Sequence, residues 1–203
     1  TVGIHPHDAK TLSPSNLAAL RKLATDQYVV AIGETGLDFH RILSTEKQQE
    51  KSFEAHIELA IELKMPLFLH ERDAAAKQIE MLKSYRDNIC NGVIHCFTGD
   101  KKTLFRYLDM DLHIGITGWI CDERRGQELQ KIIKNIPLDR LMLETDAPYL
   151  TPRNMPAKPK NGRNEPAFLA HVLSGIAAVR AEHIDEIATT TTATAIKFFG
   201  FTK

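Results

Sequence analysis

The chain carries no excess charge of either sign. Across 203 residues, 26 Lys and Arg stand against 26 Asp and Glu, for a formal net charge of +0. No global basic field is available to attract nucleic acid non-specifically, so any polyanion has to be gripped locally. Cysteine is scarce and odd in number: Cys90, Cys96 and Cys121 show no CxxC spacing. That argues against a disulfide scaffold or a zinc knuckle and suits a reducing compartment, with each thiol read as a small buried hydrophobe. No apolar run approaches the roughly 18 residues that span a bilayer, and no charged-then-apolar leader opens the chain. The expectation is therefore a protein without a membrane partner, cytoplasmic, or nuclear in a eukaryotic host. With only 11 Gly and 9 Pro, 43% hydrophobic and 26% charged residues, collagen-like and disordered classes are excluded, and one core is expected. The motifs GxxxxGK[ST], GxSxG, HExxH and GxGxxG are all missing. Nucleoside triphosphatase, serine hydrolase, zincin and dinucleotide-binding readings lose their main support with them.

What is present is an alternation of short apolar runs and segments of helical period. The runs are Thr1 to His5, Val29 to Glu34, Pro66 to His70, Val93 to Phe97, His113 to Gly118 and Leu141 to Asp146. Apolar on both faces, they fit parallel strands covered by helices. Helix starts are marked by Ser13-Pro14, by the capping-box spacing of Thr45 and Gln48, and by Asp73 and Asp100 as N-caps. Two C-terminal helices follow a Pro-, Lys- and Asn-rich loop from Thr151 to Glu165. The order is α/β with six βα steps. A doubly wound sheet needs no more, whereas a closed eight-stranded barrel needs two further strands upstream of Thr1, and these patterns do not choose between them.

A residue able to bind a metal stands at the end of run after run: His5, Glu34, His70, His95 and Asp146. In parallel α/β folds the C-terminal strand ends share one rim, so these side chains are expected to converge. A lone His at a strand end is more often structural, Asp146 before Ala147-Pro148 can cap a turn, and Glu34 can sit at a solvated strand exit. Five together favour a metal centre. Mixed imidazole and carboxylate donors suit Mg²⁺, Mn²⁺ or Zn²⁺, and Glu34 can bridge two ions roughly 3.5–4 Å apart to activate water. Arg72 can hold a phosphate in a bidentate grip or pair with Glu71 or Asp73. Trp119 can stack on a base or pack, and Lys158, Lys160 and Arg163 can touch a polyanion or be a solvated loop. His7 and Asp8 read as loop residues, and His56, His113, His171 and His183 as structural or surface histidines.

Six blocks in order then resemble the TatD family of metal-dependent deoxyribonucleases: Gly3-Ile4-His5-Pro6-His7, Ile32 to Phe39, Leu69-His70-Glu71-Arg72-Asp73, Ile94 to Gly99, Leu143 to Leu150, and Arg163-Asn164-Glu165-Pro166. The resemblance implies a TIM (β/α)8-type barrel of the amidohydrolase superfamily, here incomplete. The whole of 1–203 is then a single metal-dependent hydrolase domain cut from a longer barrel, its first two strands missing upstream. It implies two divalent ions, Mg²⁺ or Mn²⁺ with Zn²⁺ as an alternative, and 3′-5′ hydrolysis of single-stranded DNA or RNA in DNA repair or fragmentation. It implies Glu34 as a bridging or shared ligand and catalytic residue, and His70 and His95 as ligands of one ion. Asp146 is implied as ligand of the other ion and as catalytic base, His5 as a residue near the scissile phosphate, and Arg72 near the backbone. No obligate protein partner follows from it. Two rival readings are a superfamily ester or amide hydrolase, such as an aminoacyl-tRNA deacylase, and an inactive truncated form.

Overall fold

The computed structural model describes residues 1–157 and 159–201. The chain forms two compact units. The first comprises Thr1–Ile94, Met110–Leu112 and the described residues from Phe198 to Phe201. It holds strands β1 (Ile32–Asp38), β2 (Leu67–Arg72) and β3 (Gly92–Ile94), and helices α1 (Pro14–Leu23), α2 (Glu46–Leu63) and α3 (Ala75–Tyr85). Its strands run parallel in the order β1-β2-β3, with Ile32 opposite Leu67 and Leu67 opposite Gly92. The second unit comprises His95–Asp109 and His113–Lys197. It holds the parallel pair β4 (His113–Ile116) and β5 (Leu141–Leu143), helices α4 (Lys101–Leu108), α5 (Gln127–Ile132) and α6 (Leu169–Ala177), and α7 (Ile184–Phe199) as far as Lys197.

The burial explains why the apolar runs become strands. Ile32, Leu37, Leu67, Leu69 and Val93 in the first unit, and Ile114, Ile116 and Leu141 in the second, are fully shielded from solvent. Each such side chain gains about 1.5–3 kcal/mol from leaving water. On α2, Phe53, Ile57 and Ala60 are buried as their spacing requires, and Thr45 and Gln48 form a complete capping box. Ser13 and Asp100 cap α1 and α4 through Asn16 N–H and Thr103 N–H.

Four expectations are corrected. The first run is not a strand but a single bridge, Val2 to Ile32, so among the described residues five strands stand where six βα steps are expected. The second run starts late, because Val29 N–H closes a turn onto the Asp26 carbonyl. The strand then continues to Asp38, which leaves Glu34 inside β1 and not at its end. Asp73 does not cap α3: Glu71 Oε1 accepts the Ala74 N–H at 2.8 Å, while Asp73, at φ 53°, takes His40 Nδ1 at 2.8 Å. Cys90 is exposed rather than buried, and Cys96 and Cys121 are half-buried. Among the described residues, no helix is long and apolar enough to cross a membrane.

Candidate active site

In the first unit, chemistry gathers where β1 and β2 are forced close. A Cβ on Gly33 would lie 2.3 Å from the Phe68 carbonyl oxygen, so only glycine fits there. The β1–β2 register slips between Gly33 and Thr35, which places Glu34 at a bulge, unmatched in the ladder. Bulges re-aim side chains, and Glu34 meets His70 from β2, with Oε1 2.8 Å from Nδ1. His5 Nε2 stands 3.7 Å from the same oxygen, and the His5 and His70 rings are 4.6 Å apart. One ligand atom from each of His5, Glu34 and His70 lies within 4.8 Å of the others.

His5 reaches this place through a histidine that reads as structural in the sequence and is so here. His56, buried on α2, has Nδ1 2.7 Å from the Ser52 carbonyl, so Nδ1 is the donor and Nε2 accepts the Ile4 N–H at 2.9 Å. Burial lowers the His56 pKa from 6.5, against the Ser52 bond. Below about pH 6.5 the unfolded chain takes up a proton that the folded chain refuses, so His56 leaves stability intact above that pH and erodes it as pH falls. Urea midpoints measured between about pH 7.5 and 5 should decline less steeply in His56→Gln than in the parent. An unchanged slope would remove His56 from this role.

The chemistry of the donors fits a divalent cation. The His5 pKa is lowered to about 4 by burial and then by His70, against the pull of Glu34. His5 is therefore neutral at pH 7 and offers a lone pair. Asp38, at the end of β1, was not singled out from the sequence. It is 1% exposed; Oδ1 accepts the N–H groups of His40 and Arg41, and Oδ2 lies 2.8 Å from His7 Nε2 and 3.3 Å from His70 Nε2. Burial alone would raise its pKa, but the Arg41 N–H and the two imidazoles outweigh it and hold the carboxyl below the ordinary value. Gln49 on α2 bonds both the N–H and the carbonyl of Asp38 and fixes its backbone. Strand alternation gave no signal for Asp38, because the bulge at Glu34 breaks it; Glu34 and Asp38 are brought together by the two nitrogens of the His70 ring. Arg72 is exposed at the end of β2.

In the second unit, His95 directly follows the chain of β3, and Asp146 lies three residues past β5. His95 Nε2 is 3.4 Å from Asp146 Oδ1, and His95 Nδ1 is 2.9 Å from Glu144 Oε2. His95 is 8% exposed. Asp146 sits in the left-handed region at φ 56°, a conformation that Asp and Asn tolerate better than other side chains. The rim expected from sequence thus resolves into two groups, His5, Glu34 and His70 in one unit, His95 and Asp146 in the other. Trp119 has its ring covered by the Arg125 guanidinium at 4.4 Å and its Nε1–H on the Arg125 carbonyl. It borders a groove of about 470 Å³ with Tyr149, which is 70% exposed, and Arg153. Lys160 and Arg163 are exposed, and Lys158 lies outside the described residues.

Comparison with known proteins gives a consistent picture. The family described as TatD related DNase matches residues 1–200. A "3′-5′ ssDNA/RNA exonuclease TatD" of Klebsiella pneumoniae (strain 342) is 48% identical over 200 residues, covering 98% of this chain and 76% of the relative. A protein of the same description from Pantoea vagans (strain C9-1) is 51% identical over 189 residues, 93% of this chain and 73% of the relative. Among solved structures, a TatD homologue from Escherichia coli K12 superposes with a TM-score of 0.90 at 27% identity, covering 100% of this chain and 76% of its own. A TatD-family hydrolase from Entamoeba histolytica gives 0.88 at 26% identity, covering 100% and 74%. The fold is accordingly the TIM (β/α)-barrel type of these neighbours.

Proposed function

Because the chain belongs to the TatD-related DNase family, we propose that it is a divalent-cation-dependent hydrolase of phosphodiester bonds, a 3′-5′ exonuclease on single-stranded DNA or RNA. One observation carries the reading: three ligand atoms of His5, Glu34 and His70 lie within 4.8 Å of one another in a chain matched to the family over residues 1–200. Those three residues would hold one cation, and His95 with Asp146 a second. Mg²⁺ and Mn²⁺ suit the carboxylates best, and Zn²⁺ takes the same donors. When bound, the cations supply Lewis acidity toward a phosphoryl oxygen and make water acidic enough to lose a proton near neutral pH.

The side chains do the rest. Asp146 accepts the proton of the attacking water as the water oxygen bonds to phosphorus; the phosphorus–oxygen ester bond breaks with its electron pair on the departing oxygen, which takes a proton from solvent. Asp38 and His7 hold the far side of His70 in place. His5, with 29% of its side chain exposed, borders the scissile phosphate as well as Glu34. Arg72 presents a planar guanidinium that grips a neighbouring phosphate through two N–H groups. A cytoplasmic location is part of the same reading.

The test is a single-stranded oligonucleotide labelled at its 5′ end, assayed beside an aminoacyl ester with and without Mg²⁺ or Mn²⁺. Cation-dependent shortening from the 3′ end is expected. Turnover of the ester alone would displace the nuclease reading.

A further inference from the structure

We propose that Glu144 is a positioning residue: it holds His95 in the tautomer protonated on Nδ1, so that the Nε2 lone pair faces Asp146. The inference rests on the reading of His95 as a cation ligand. Glu144 follows β5, and its N–H is tied to the Ile116 carbonyl at 2.9 Å. Its Oε2 accepts the Cys96 N–H at 2.9 Å and lies 2.9 Å from His95 Nδ1. A carboxylate is acceptor-only, so the proton of that contact belongs to Nδ1. The other ring nitrogen, Nε2, is the one that lies 3.4 Å from Asp146 Oδ1. A cation between Nε2 and Asp146 then meets two lone pairs without first displacing a proton.

Two independent features of the backbone are built around this carboxylate. Gly115 on β4 leaves a notch that Glu144 fills: a Cβ there would sit 2.4 Å from Glu144 Cδ and 2.5 Å from each of its oxygens. Cys96, at φ 47°, adopts a left-handed turn immediately after His95. Such a conformation is strained in a residue other than glycine, and here it accompanies the Cys96 N–H bond to Oε2. Metal-ligating imidazoles usually donate their second N–H to a carboxylate, which fixes ring orientation and tautomer. Glu144 has the geometry for that task.

The test needs no nucleic acid. In the ¹⁵N-labelled, cation-free full chain at about pH 8, long-range ¹H–¹⁵N correlations, with His95 assigned by its loss in His95→Gln, should show a protonated Nδ1 and a bare Nε2. A His95 ring that carries a proton on Nε2 overturns the proposal, and this readout requires no variant at Glu144. Mn²⁺ titration followed by EPR should then show one class of site weakened about 10–100-fold in Glu144→Ala. Gly115→Ala, which evicts the carboxylate from its notch, should weaken the same class. Glu144→Gln, whose amide oxygen can still accept from Cys96 and His95, should restore the Nδ1–H tautomer. Folded Glu144→Ala that keeps both the tautomer and the Mn²⁺ affinity would overturn the assignment. Failure of the nuclease reading is separately visible, as a parent chain that binds Mn²⁺ with this tautomer yet leaves oligonucleotides intact.

Discussion

Glu34→Gln is expected to reduce cation-dependent cleavage of single-stranded DNA by about 10³-fold or more, roughly 4 kcal/mol of barrier. Glu34 is the carboxylate of the His5, Glu34 and His70 group. An amide keeps the volume and can still accept from His70 Nδ1, so the chain should fold and melt close to the parent. What disappears is the negative charge that draws a cation between the His5 and His70 rings. His5 makes the loss sharper. Its pKa is lowered to about 4, so it offers only a lone pair at neutral pH and no charge to retain the ion. Raising Mn²⁺ from micromolar to millimolar should recover part of the activity, because the defect is in binding. Activity within tenfold of the parent at micromolar Mn²⁺ would exclude Glu34 from the ligand set.

Asp146→Asn should produce a comparable deficit by a different route. Loss of a positioned proton acceptor typically removes about 10²–10⁴-fold in rate. The choice of Asn is dictated by the backbone: at φ 56°, an alanine or a β-branched residue would strain the turn, whereas Asn accepts the left-handed region. A fall in kcat with little change in KM for the oligonucleotide is expected, since Asp146 acts on water and not on the strand. A change confined to KM would reassign Asp146 to substrate binding.

Much of the fold could be read from patterning, because strands covered on both faces must be apolar and helices must begin with a cap. The boundaries were set by contacts that the pattern does not encode. β1 starts at Ile32 because Val29 is spent in a turn, and it runs through Asp38 because Gln49, eleven residues on, secures that end. α3 has Ala74 at its N-cap with no side-chain cap, and Glu71 from the preceding strand holds the Ala74 N–H, so the nearer Asp73 misleads. In the candidate site, Glu34, His70, His95 and Asp146 stood out as polar residues ending apolar runs. Asp38 and Glu144 did not, though each lies two or four residues from one that did. Their importance comes from imidazoles contributed by other strands and loops, and from glycines that make room for them. Only a fold supplies those neighbours.

The most direct test of the account is anomalous diffraction at the manganese edge from crystals of the full chain soaked in Mn²⁺. The account predicts a peak bonded at about 2.0–2.2 Å to Glu34, with His5 and His70 in the same coordination shell, and a second on His95 and Asp146. Saturating Mn²⁺ that supports strand cleavage while leaving Glu34 without a peak would contradict it.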